Sequence, residues 1–91
     1  MRKIHLDIRN IHTVKALHIY LQYMLDLPAY YGRNLDALYD LLCQESERVC
    51  IEIQHNPDAD CETATYFPKL VRVMEDAAQD NDRLSVVFCR E

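Results

Sequence analysis

Two short stretches alternate apolar and polar residues with the period of a strand that buries one face: Ile4-His5-Leu6-Asp7-Ile8 and Val49-Cys50-Ile51-Glu52-Ile53. A third run, Leu84 to Cys89, is more continuously apolar and reads as a third strand. Between the first two, Val14, Leu17, Leu21 and Met24 recur at helical spacing behind Thr13, a favoured N-cap, and Pro28 is expected to end that helix. A second helix is predicted from the cap residue Asn34, with Leu35, Leu38 and Leu42 along one stripe. Leu70, Val73, Met74 and Ala77 predict a third, with Pro68 in its first turn and Asn81 suited to its C-terminal stop. Glu62 to Phe67 reads at most as a separate short turn of helix. Strands separated by helices imply parallel pairing, because a parallel connection needs a crossover of about a dozen residues or more. The expected class is α/β, in two layers, with helices on one sheet face.

A chain of 91 residues accommodates one domain, expected to span 1–91, and 49% hydrophobic against 27% charged residues is a globular balance. Met1 to Ile8 alternate charge and apolarity instead of forming the apolar run of a signal peptide, and no later stretch has the length of a membrane span. A cytoplasmic location without a membrane partner follows as an expectation. Cys43, Cys50, Cys61 and Cys89 then read as reduced packing residues, although an even number would allow two disulfides in a secreted chain. The net charge of -5 is uneven, since residues 1–25 hold Arg2, Lys3, Arg9 and Lys15 against Asp7 alone. The remainder is strongly acidic, which disfavours nucleic acid and steers association with basic proteins.

The acidity has a focus. The single glycine, Gly32, lies in Leu27-Pro28-Ala29-Tyr30-Tyr31-Gly32-Arg33-Asn34, where a positive φ would explain it. Two adjacent tyrosines in a tight loop seldom both point inward, so one is expected in the core and the other becomes a contact candidate. Asp36 and Asp40 share one helix face and repel each other by about 0.2–0.5 kcal/mol. The helix dipole compensates Asp36 in the first turn but not Asp40 a turn further in. Taken alone, a solvated pair accounts for both acids. From Asp26 to Glu47, however, Arg33 is the one base among five acids, and Asp76 falls on the flank of the third helix. With the two helices side by side, an acidic surface edged with tyrosine would result.

Other chemistry is poorly supported. A metal could be imagined on His55, Asp58, Asp60 and Cys61, or acid–base catalysis between Asp36 or Asp40 and a histidine, but neither has a recognised spacing. His5, His12, His18 and His55 read as solvated side chains.

The run Leu27-Pro28-Ala29-Tyr30-Tyr31-Gly32-Arg33-Asn34-Leu35-Asp36-Ala37-Leu38-Tyr39-Asp40 resembles the signature of the barstar family of ribonuclease inhibitors. Outside it the resemblance continues more weakly through the first strand, the later helix and the closing strand. It implies a three-stranded parallel sheet with helices on one face, no enzymatic activity, no metal or other cofactor, and a basic, extracellular ribonuclease of the barnase type as partner of an inhibitor monomeric when free. The partner-binding residues it implies are Tyr30, Tyr31, Gly32, Asn34, Leu35, Asp36, Ala37, Tyr39 and Asp40, joined by Asp76 from the last helix. Three departures bear on which enzyme is met: Tyr39 stands where the best-known member has tryptophan, Arg33 replaces an acid, and Asp76 is one methylene shorter than glutamate. An interaction or immunity module of the same fold, directed at another basic toxin or a regulatory protein, is the alternative.

Overall fold

The computed structural model describes residues 2–56 and 60–90. Strand β1 (Arg2–Asp7) leads into helix α1 (Val14–Met24), then α2 (Leu35–Cys43), strand β2 (Val49–His55), helix α3 (Glu62–Asp80) and strand β3 (Leu84–Arg90). The strands form one parallel sheet in the order β1-β2-β3. Its register puts Ile4 beside Ile51 and Val86, and Leu6 beside Ile53 and Phe88. Alternation therefore sends one row of side chains under the helices and leaves Lys3, His5, Glu52 and Val87 on the opposite face. On that face Lys3 pairs with Glu52 at 3.2 Å, and His5 bonds Gln54 at 3.3 Å. Leu17 and Leu21 of α1, Leu38 of α2, and Leu70 and Met74 of α3 close the core against Leu6, Ile51 and Ile53. Each such side chain, fully buried, stabilises the fold by roughly 1.5–3 kcal/mol. The result is the two-layer α/β arrangement anticipated above.

The starts of α1 and α2 follow the sequence closely. Thr13 Oγ1 accepts from the Ala16 N–H at 3.1 Å, and Asn34 Oδ1 accepts from the Ala37 N–H at 2.8 Å, so each satisfies an amide that has no intrahelical partner. Helix ends do not. Pro28 does not stop α1, which ends at Met24 because Asp26 turns left-handed at φ 54° and the Leu27 N–H reaches back to the Gln22 carbonyl at 2.9 Å. Pro68, expected in a first turn, lies inside α3, because Glu62 to Phe67 form the start of that same continuous helix. Proline cannot donate to the carbonyl one turn back. Burial of Thr63 before it and Leu70 after it, with Phe67 stacked on His55, holds both halves in line.

Gly32 carries no positive φ; the left-handed residue is its neighbour Arg33, at φ 55°. Space explains the glycine instead, since a Cβ there would lie 3.0 Å from Nδ2 of the capping Asn34. Among the described residues no helix is long and apolar enough to cross a membrane. Cys43, Cys50, Cys61 and Cys89 are thiols.

Candidate partner-binding surface

The segment between α1 and α2 is held from beneath by a buried polar triad. Tyr31 is 5% exposed, and its hydroxyl lies 2.6 Å from His18 Nδ1; the Tyr66 hydroxyl lies 2.9 Å from His18 Nε2. A neutral imidazole has one donor and one acceptor nitrogen, so one phenol donates to it and the other accepts from it. Desolvation lowers the His18 pKa from 6.5 and raises those of Tyr31 and Tyr66, which keeps all three groups neutral. His18 is therefore not a solvated side chain; it joins α1, the tyrosine loop and α3. The loop is further closed by the Tyr31 N–H and Gln22 Nε2, which both donate to the Pro28 carbonyl at 3.0 Å.

This anchoring separates the two adjacent tyrosines. Tyr31 is buried beneath the loop, whereas Tyr30 stands 79% exposed. Gly32, Asn34, Asp36 and Asp40 are exposed, while Leu35, Ala37 and Tyr39 are partly covered against the core. Arg33, also exposed, reaches Gln22 Oε1 at 3.5 Å.

Helix α2 packs along α3, and the contacts fix their relative direction. The Tyr39 hydroxyl donates to the Asp80 carboxylate. At the C-terminal end of both helices, Asn81 Nδ2 donates to the carbonyls of Leu42 at 3.0 Å and Glu45 at 3.1 Å. The helices thus run parallel. One turn back from Tyr39 stands Asp36, and one turn back from Asp80 stands Asp76, both exposed. The Asp80 carboxylate, followed by Cys43, pushes the Tyr39 phenol well above its usual 10.0, so it remains a donor across the ordinary pH range. Acids widely separated in sequence consequently flank one helix–helix seam.

Sequence reasoning gave Asp80 and Tyr66 no role at this surface, read His18 as solvated and took Asn81 only as a helix stop. Signals existed for two of them: Asp80 follows Asp76 by four residues, and His18 falls in the helical series Val14, His18, Leu21, Leu25. Nothing local marked Tyr66 as a partner of His18. The proposed metal group finds no support among the described residues, where no set of three or more histidine, cysteine or acidic side chains could hold an ion; Asp58 lies outside them. His55 instead stacks on Phe67 with ring centroids 4.1 Å apart.

The comparisons with known proteins agree with this architecture. One relative, from Bacillus subtilis (strain 168), bears the name "Putative ribonuclease inhibitor YrdF" and is 55% identical over 42 residues, which are 46% of this chain and 46% of that protein. The match thus spans about half the length of the relative. The family described as "Barstar (barnase inhibitor)" matches residues 1–90, and the chain belongs to that family.

Proposed function

We propose that the protein inhibits a small basic ribonuclease by covering its active site with α2, the preceding Tyr30–Asn34 loop and the adjoining turn of α3, without catalysing a reaction itself. The observation that supports this reading is the parallel α2–α3 seam, tied by Tyr39 and Asp80, with Asp36 and Asp40 exposed on α2, Asp76 exposed on α3 and Tyr30 exposed in the loop before α2. Membership of the family and the name of the Bacillus subtilis relative support the same class of partner.

A ribonuclease needs cationic groups that hold the scissile phosphate and stabilise its transition state. A carboxylate on a rigid helix can occupy the phosphate position and accept charge-assisted hydrogen bonds from those groups. Asp40 takes this role, Asp36 and Asp76 meet neighbouring cations, and Tyr30 supplies aromatic area at small entropic cost. Partner cations would also relieve the repulsion between Asp36 and Asp40. Desolvation makes the arrangement favourable only where pairing is close. Gly32, Asn34, Leu35 and Ala37 shape the contact; Tyr31 acts from below, through the loop. The partner is an extracellular enzyme of the barnase type, met by a cytoplasmic inhibitor that is monomeric when free.

The test is an inhibition assay on such a ribonuclease. Asp40→Ala removes one member of a desolvated charge pair and weakens inhibition by about 2–5 kcal/mol, while Asp60→Ala, on an exposed residue before α3, has little effect. Equal effects at the two positions would overturn the assigned surface. Absence of inhibition by micromolar wild-type protein would overturn the partner. One observation favours a different basic toxin as partner: Arg33 places a cation in the acidic loop, with a long contact to Gln22 at 3.5 Å. Parallel assays on other small basic nucleases separate the two readings.

A further inference from the structure

The rotation of α1 about its own axis is fixed by its inner side chains. Leu17, His18 and Leu21 are buried, and the His18 ring is held between the Tyr31 and Tyr66 hydroxyls. The Tyr20 hydroxyl accepts from the Asp7 N–H of β1 at 2.9 Å. The outward face is thereby set as Lys15, Ala16, Ile19 and Tyr23, all exposed, followed just past the helix end by exposed Asp26. Ile19 is 44% and Tyr23 82% exposed, and residues four apart are neighbours on a helix surface. Of the other large apolar side chains with such exposure among the described residues, Tyr30 belongs to the surface assigned to the ribonuclease. Val87 stands on the far face of the sheet.

The two ends of this stripe carry opposite charges, and among the described residues neither Lys15 nor Asp26 forms an ion pair within the chain. A cation at one end, an anion at the other and apolar side chains between make a surface complementary to itself when turned end for end. That is the requirement of a two-fold interface. At about 1.5 Å of rise per residue, a two-fold axis at the level of residue 21 sets Ile19 level with Tyr23 of the second copy. The same axis leaves Lys15 within about 2 Å of the level of the second copy's Asp26. Ala16 adds no bulk that would hold the helices apart.

We propose that two copies of this chain associate through antiparallel α1 helices, Ile19 of each against Tyr23 of the other, with Lys15 and Asp26 paired at both ends. Two apolar side chains and an alanine per copy bury less than the roughly 1,200 Å² of a stable complex, so the association is weak, with a Kd on the order of 0.1–1 mM. The inhibitor is therefore monomeric at the micromolar concentrations of an inhibition assay and dimeric only when concentrated. The stripe shares no residue with the α2–α3 seam, so the two surfaces stand or fall separately.

Sedimentation equilibrium of the 91-residue protein at low salt, from about 10 µM to 2 mM, tests this. The weight-average mass rises from that of one chain towards that of two. Tyr23→Arg stays monomeric throughout, while Val87→Arg, on the far sheet face, associates like wild type. Lys15→Glu and Asp26→Lys each weaken association by about five- to tenfold, the second although it reduces the net negative charge. The double exchange restores the pairs with their signs reversed and recovers most of the loss. A protein monomeric up to about 2 mM, which leaves the stripe to another partner or to none, would overturn the proposal. So would unchanged association in Tyr23→Arg, a double exchange no better than the single ones, or loss of association in Val87→Arg alone.

Discussion

Tyr31→Phe separates support of the tyrosine loop from direct contact with a partner. The substitution keeps the ring, which packs in the core, and removes only the hydroxyl 2.6 Å from His18 Nδ1. His18 is 1% exposed, so water cannot replace the lost phenol without opening the helix layer. One imidazole nitrogen is left buried without a partner, at a cost of about 1–3 kcal/mol, which exceeds the roughly 0.5–1.5 kcal/mol net value of an ordinary hydrogen bond. In a domain of this size that lowers the thermal midpoint by roughly 5–20 °C, and the urea midpoint by roughly 1 M at unchanged slope. Far-UV circular dichroism follows both transitions in a chain without tryptophan. Inhibition by Tyr31→Phe, corrected for folded fraction, stays close to wild type. Tyr30→Ala behaves oppositely, with stability within about 0.5 kcal/mol of wild type and weakened inhibition. A Tyr31→Phe protein with an unchanged urea midpoint but poor inhibition would refute the reasoning and return Tyr31 to the contact surface. Coupling provides a second check, because in a His18→Leu background the same substitution should cost less by about 0.5–3 kcal/mol.

Four further outcomes follow from contacts elsewhere in the fold and from His18. Because His18 has a lowered pKa in the fold, the unfolded chain binds more protons below pH 6.5; stability is full above that value and declines as pH falls through 6.5 towards the folded pKa, a dependence that urea titrations should find flattened in His18→Gln. Asp7 adds a separate decline at stronger acid, since its bonds to Arg9 hold its pKa at about 2. Asn81→Ala removes bonds to the Leu42 and Glu45 carbonyls and the 3.1 Å bond accepted from the Arg83 N–H; chemical denaturation should register a loss of about 2–3 kcal/mol. Asp26→Gly should raise stability by about 0.5–1 kcal/mol in the same assay, because glycine accepts φ 54° without steric cost and removes an acid from the negative end of α1.

Much of the fold was legible from local chemistry. The alternation at Ile4–Ile8 and Val49–Ile53, the caps Thr13 and Asn34, and the apolar stripes of the helices each depend on residues a few positions apart. Those interactions survive translation into structure because strand period, helix period and capping geometry are set within one turn or one pleat. The acids Asp36, Asp40 and Asp76 were legible in the same sense, as positions on helix faces.

Partners distant in sequence were not. Pro68 reads as a helix start until the burial of Thr63 and the stacking of Phe67 on His55 extend α3 upstream of it. Gly32 suggests a left-handed turn, yet the strained angle falls on Arg33 and the glycine answers to the bulk of the Asn34 side chain. His18 is solvated or buried according to whether Tyr31 and Tyr66 reach it, and Tyr39 is a free aromatic or a tie according to where Asp80 lies. The amino-acid sequence by itself determined the elements and the acidic character of α2. Only the tertiary structure decided which tyrosine faces outward and which acids from α3 stand beside α2, because pairing across 41 residues, as between Tyr39 and Asp80, depends on how the helices pack against the sheet rather than on any local preference.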